Sequence, residues 1–274
     1  MQGRLRKLAT QHSTQNQVDY QLRLTHPDAE DQYLPLNEHL GQTLRLHFTG
    51  ELHCIHCERK TTKSFNQGYC YPCFRKLAQC DTCIVKPETC HFHQGTCREP
   101  EWGQQQCFQP HIVYLANTSG LKVGITRKTQ MPTRWMDQGA VAALPLFEVS
   151  DRRTSGLVET LLAQSLSDKT AWQRMLKNQV PELDLQAEAK AAVEQYQAAL
   201  QPLIGSVPEP LAANPYVFDY PVLQYPTKVT SLNPDKQPLI EGQLLGIKGQ
   251  YLLLDSGVIN LRKFAGYVVT AQVG

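Results

Sequence analysis

Nine cysteines crowd into one short stretch of this chain of 274 residues, and the rest of the sequence has none. They fall at Cys54, Cys57, Cys70 and Cys73, then at Cys80, Cys83, Cys90, Cys97 and Cys107. The first four read C-x2-C-x12-C-x2-C. A two-residue gap lets both thiolates of a turn point at one ion, and the intervening loop carries the second pair round to complete a tetrahedron. Four soft sulfur ligands favour zinc, with an iron–sulfur cluster as the competitor. A disulfide framework would instead need an oxidising compartment and, usually, a secretory leader. The first residues, MQGRLRKLATQHS, lack a continuous apolar run, and no stretch approaches the roughly 18 apolar residues that span a bilayer. The expectation is therefore a cytoplasmic, metal-binding protein with no membrane partner.

The second group, CDTCIVKPETCHFHQGTC, holds more ligands than one ion needs. Cys80 and Cys83 form another two-residue knuckle, and the equal gaps to Cys90 and Cys97 make a compact four-sulfur site of Cys80, Cys83, Cys90 and Cys97 the simplest assignment. His91, His93 and Cys107 are the alternatives, and zinc or an iron–sulfur cluster suits the set. The expected metal content is thus one or two structural ions.

The local patterns predict an α+β chain. Alternating polar and apolar residues in GRLRKLA, VDYQLRL and TLRLHFTGELH predict strands, so residues 1–53 form a β segment before a cysteine-rich module over 54–109. HIVYLANTSGLKVGIT predicts a hairpin turning at Asn117, Ser119 and Gly120. A short helix follows with Arg134, Trp135 and Gln138, ending at Gly139. Ser155 is the expected N-cap of a helix carrying Leu157, Leu161, Leu162 and Leu166, and LQAEAKAAVEQYQAALQPLI predicts a long one. These elements make a core over 110–205. A proline-rich linker and a small antiparallel β-barrel or sheet are expected over 206–274.

Within that core the tripeptides Ile112 to Tyr114 and Lys122 to Gly124, then Arg134, then Glu159, resemble the GIY-YIG nuclease superfamily. The resemblance implies a small sheet with flanking helices, an arginine that meets the scissile phosphate, and a glutamate that holds magnesium or manganese. Carried over position by position, it assigns catalytic roles to Tyr114, Lys122, Arg134 and Glu159, with Tyr114 and Lys122 orienting or deprotonating the water. Ile112 stands where the family name has glycine, and Lys122 where it has tyrosine. The whole arrangement is similar to a bacterial family of unknown function.

The formal charge of +2 does not by itself imply a nucleic-acid partner, so local patterning must carry that expectation. Between His111 and Trp135 there is no acid, while Lys122, Arg127, Lys128 and Arg134 are present. Around the first knuckle Phe65, Tyr69, Tyr71 and Phe74 interleave with Arg59, Lys60, Lys63, Arg75 and Lys76, a pattern suited to RNA or DNA. Three function classes follow: a metal-dependent endonuclease, a non-catalytic RNA- or DNA-binding protein on the same fold, and a zinc-stabilised interaction scaffold.

Overall fold

The computed structural model describes residues 1–205 and 210–274. Its strands are β1 (Gln2–Leu5), β2 (Ala9–His12), β3 (Val18–Thr25), β4 (Gln32–Pro35), β5 (Thr43–Leu52), β6 (His111–Asn117), β7 (Leu121–Arg127), β8 (Ala142–Val149), β9 (Tyr216–Val217), β10 (Leu239–Lys248), β11 (Tyr251–Leu254), β12 (Gly257–Asn260) and β13 (Tyr267–Val273). Its helices are α1 (Tyr71–Lys76), α2 (Pro100–Cys107), α3 (Thr133–Asp137), α4 (Arg152–Leu162), α5 (Trp172–Leu176) and α6 (Leu185–Ile204). The fold is α+β, and it divides into two compact units. One comprises Met1–Arg75, Leu176–Asn178 and Phe218–Gly274, the other Lys76–Met175 and Gln179–Val217.

The first unit is a nine-stranded antiparallel sheet in the order β12-β11-β10-β5-β13-β1-β3-β2, with β4 against β3. Strand β5 sets its centre. Leu44, Leu46 and Phe48 are buried while Arg45 and His47 between them are exposed, the period-two pattern of a strand with one face in a core. The β stretches expected at the two ends of the sequence are one sheet, because β5 pairs with both β10 and β13 and β1 pairs with β13. Both ends offer apolar faces too small to bury alone, and joining them gives each a partner.

The second unit holds a four-stranded antiparallel sheet in the order β7-β6-β8-β9. The predicted hairpin forms, with β6 and β7 joined through residues 118–120. Val113, Leu115, Val123 and Ile125 join the core made with Val158 and Leu162 of α4 and Leu185, Ala189 and Val193 of α6. By the strand period, Tyr114, Lys122 and Gly124 belong to the opposite face, where Trp135 of α3 packs edge-on to Tyr114 at 5.6 Å between ring centroids.

The start of α4 differs from the sequence expectation. Asp151, not Ser155, is the N-cap: its Oδ1 accepts from the Thr154 backbone N–H at 2.9 Å and its Oδ2 from the Thr154 hydroxyl at 2.7 Å. Ser155 lies inside the first turn and donates to the Arg152 carbonyl at 2.7 Å. Asp and Ser cap about equally well, but Asp151 has the extended backbone of a cap while Ser155 is already helical and buried. The long predicted helix is α6, capped by the Asp184 carboxylate and closed by Gly205 in the left-handed region. The first four residues of the proline-rich stretch, 206–209, lie outside the described residues; beyond them β9 pairs with β8.

Helix α4 also meets the second cysteine segment. A Cβ on Gly156 would lie 2.5 Å from the Pro87 Cβ and 2.7 Å from the Glu88 backbone nitrogen. Alanine gains about 1 kcal/mol of helix propensity over glycine, but overpacking against backbone costs about 1–3 kcal/mol. Gly156→Ala should therefore be destabilising, and urea denaturation should show a lower midpoint.

Candidate active site and metal centres

Four separate elements bring Tyr114, Lys122, Arg134 and Glu159 together. Tyr114 is fully buried on β6 and its hydroxyl donates to the Gln138 side-chain oxygen at 2.9 Å. The ring lies across its cross-strand partner Gly124, where any Cβ would stand 2.6 Å from the tyrosine oxygen and 2.7 Å from its ring carbon. Glycine there is a steric requirement, and Gly124→Ala should displace the ring and cost about 1–3 kcal/mol, read by thermal unfolding. Lys122 is 5 % exposed on edge strand β7, opposite Ala116. Arg134 on α3 and Glu159 on α4 are half-buried.

Arg134 and Glu159 act on both Lys122 and Tyr114, and Lys122 and Arg134 act on Glu159. Burial, helped by the Arg134 charge, holds the Lys122 amine down at about 8 against the upward pull of Glu159 and Asp168. Burial pushes the Glu159 carboxyl up to about 7, against the opposing pull of Lys122, Arg134 and Arg152. The Tyr114 hydroxyl is raised by burial and drawn back by the neighbouring Arg134 charge. Two carriers of protons are thus held near neutrality within one group, an arrangement more frequent at functional sites than elsewhere. Arg152 and Asp168 belong to the same constellation and were not among the residues singled out from sequence. Arg152 lies seven residues before Glu159, two helical turns along one face of α4, a spacing that could have pointed to it. Asp168, on an exposed loop, carried no such signal.

The raised Glu159 carboxyl has a consequence for stability. Because the folded state holds this proton more tightly than a free carboxyl with its ordinary value of 4.5, the wild type loses stability as pH rises from 4.5 to about 7. Glu159→Gln removes that loss. The variant should match the wild type at about pH 4 and exceed it by about 1–2 kcal/mol at about pH 8, allowing for solvent screening of a half-buried group. Thermal unfolding across that range would show it.

The first cysteine set closes as its spacing predicts. The sulfurs of Cys54, Cys57, Cys70 and Cys73 all lie within 4.8 Å of one another, and Cys54, Cys70 and Cys73 are buried. The Cys57 and Cys70 sulfurs are 3.7 Å apart, close to the edge of about 3.8 Å that a tetrahedron with zinc–sulfur bonds of about 2.3 Å requires. Burial pushes Cys54 up, but the backbone N–H groups of Cys57, Cys70 and His56 outweigh it and draw the thiol down to about 7. Cys73 is driven the other way by burial and by the three neighbouring sulfurs. Sulfurs packed this closely ionise together only around a cation, so the donor set fits zinc.

The second group assembles differently from the four-sulfur set expected. Among the described residues its close ligand atoms belong to Asp81, Cys83 and His91, within 4.8 Å of one another. Only Cys83 is shared with Cys80, Cys83, Cys90 and Cys97. Asp81 caps the turn at Thr82, and its other oxygen meets Arg98 at 2.9 Å and His91 at 3.4 Å. His91, one of the expected alternatives, takes part, and charge pairing draws in a carboxylate that the cysteine spacing did not point to. Cys90, Cys97 and Cys107 remain close enough to raise the Cys83 thiol, to about 11, behind burial and Asp81.

A model of a family of proteins of unknown function, DUF2797, matches residues 41–269. The chain belongs to the DUF2797 family. No curated protein and no solved structure matches it. The matched DUF2797 region takes in all nine cysteines and the constellation around Glu159. Among the described residues of this DUF2797 chain, no helix is long and apolar enough to cross a membrane. Of the cations in its acid-free stretch from His111 to Trp135, Lys128 is neutralised by Glu148 at 2.9 Å, while Arg127 keeps its charge and donates to the Gln106 side chain.

Proposed function

We propose that this DUF2797 chain is a divalent-metal-dependent endonuclease whose site is built from Glu159, Lys122 and Arg134 on a GIY-YIG-like core. The supporting observation is the gathering of one half-buried carboxylate, one nearly buried amine and one guanidinium from separate elements, each shifting or facing the others' charge. A half-buried carboxylate suits magnesium or manganese, which keep several waters and take few protein ligands. Glu159 would hold such an ion, which supplies Lewis-acid stabilisation of phosphate charge when bound.

The chain's own residues supply the rest. Arg134 donates to the non-bridging oxygens of the scissile phosphate. The Lys122 amine, neutral in part near pH 8, takes a proton from the attacking water as the new phosphorus–oxygen bond forms and the bridging one breaks. Tyr114 acts differently from a water-activating tyrosine in this reading. Its hydroxyl is fully buried and committed to Gln138, so it acts as a positioning residue beside Arg134.

The test is a cleavage screen of labelled single- and double-stranded RNA and DNA with magnesium, with manganese and with chelator. Cutting that needs either ion supports the reading. Binding without cutting under every condition would replace it with a non-catalytic nucleic-acid binder, and neither binding nor cutting with a scaffold.

A further inference from the structure

We propose that the first zinc knuckle carries a stacking platform for single-stranded nucleic acid, centred on Tyr71 and separate from the Glu159 site. Three rings gather there. Phe65 stacks on Phe74 with centroids 5.6 Å apart and planes 23° apart, and lies 5.4 Å from Tyr71. Tyr71 is the outermost of them, 51 % exposed. Arg75, one helical turn later, sets its guanidinium 5.9 Å from the centre of the Tyr71 ring and donates to its hydroxyl at 3.2 Å.

A core aromatic would be covered, and this one is not. A half-exposed ring with a guanidinium over it offers a flat face for a base and a cation for the adjoining phosphate, the pairing by which proteins hold unpaired strands. Charge supports the same ligand. From Arg59 to Lys76 there is no acid. Arg59, Lys63 and Arg75 are exposed and have no carboxylate partner among the described residues. The flanking carboxylates are already engaged, Glu51 with Lys60 at 2.7 Å and Glu58 with Arg4 at 3.4 Å. Tyr71 directly follows the ligand Cys70 and Phe74 follows Cys73, so the metal that fixes those sulfurs also fixes the rings. A duplex hides its base faces within its own stack, which is why the platform selects single strands.

The inference shares with the proposed function a nucleic-acid ligand, but it uses none of that site's residues. Its test is fluorescence anisotropy of a labelled mixed-sequence oligonucleotide with the full zinc-loaded chain, in chelator-free buffer without magnesium or manganese. Tyr71→Ala should weaken binding about tenfold, the loss of one stacked base, while Tyr71→Trp should retain it. Arg75→Ala should weaken binding and lower the salt dependence by about one phosphate contact. The same sequence as a duplex should compete poorly. A wild type that binds in this buffer yet cuts nothing with magnesium or manganese would end the catalytic reading and leave this one standing, which separates the two failures. Zinc content equal to wild type certifies each variant's fold. Unchanged affinity in Tyr71→Ala, equal competition by duplex, or no binding of any oligonucleotide would overturn the proposal.

Discussion

Replacing Cys73 by serine should release one equivalent of zinc and unfold the knuckle between Cys54 and Arg75. Cys73 is a buried member of the four-sulfur set, and between β5 and α1 the described segment has only short backbone bridges beside it. Its rings are only half covered, and its turns place Glu58, Asn66 and Gln67 at positive φ, conformations that cost energy unless the surroundings enforce them. Structural zinc contributes on the order of 10 kcal/mol to domains of this kind, far more than such a short segment gains by packing. Elemental analysis should show the lost equivalent, and hydrogen exchange should show the protection of residues 54–75 falling away. Protection that persists after the metal is gone would mean that packing suffices.

The second large effect is on chemistry. Glu159→Gln keeps the shape of the side chain but removes the only acid assigned to the ion, so cleavage should fall roughly a thousandfold, the several kcal/mol that a bound metal supplies. Binding should be unchanged or slightly tighter, because an anionic group facing phosphate is repulsive without its ion. Arg134→Ala should harm both steps. It removes a phosphate contact from the ground state and charge stabilisation from the transition state, so its loss in cleavage exceeds its loss in affinity.

Local signals in the sequence reached far into the second unit and, in the first, as far as the metal set. The β6–β7 hairpin, the long α6 helix and the first metal set depend on contacts between near neighbours, which pattern and spacing express directly. The four residues around Glu159 were legible only through resemblance, because no periodicity relates a strand position to helices 12 and 37 residues later. What was illegible was long-range or electrostatic. Pairing Arg45 with Glu241, or His47 with Thr270, joins residues about 200 positions apart, and nothing local in either strand names its partner. Likewise the spacing of cysteines could not show that Asp81, drawn by Arg98 and His91, would sit beside Cys83. Gly124 and Gly156 look alike as letters; only coordinates reveal that one makes room for a tyrosine ring and the other for a neighbouring backbone.

The most direct measurement is the single-turnover rate of phosphodiester cleavage with manganese, for the wild type beside Glu159→Gln, on a strand that both bind equally. The account predicts a metal-dependent rate for the wild type and a fall of roughly a thousandfold in the variant. Equal rates in the two proteins, or no cleavage by the wild type on any strand it binds, would contradict it.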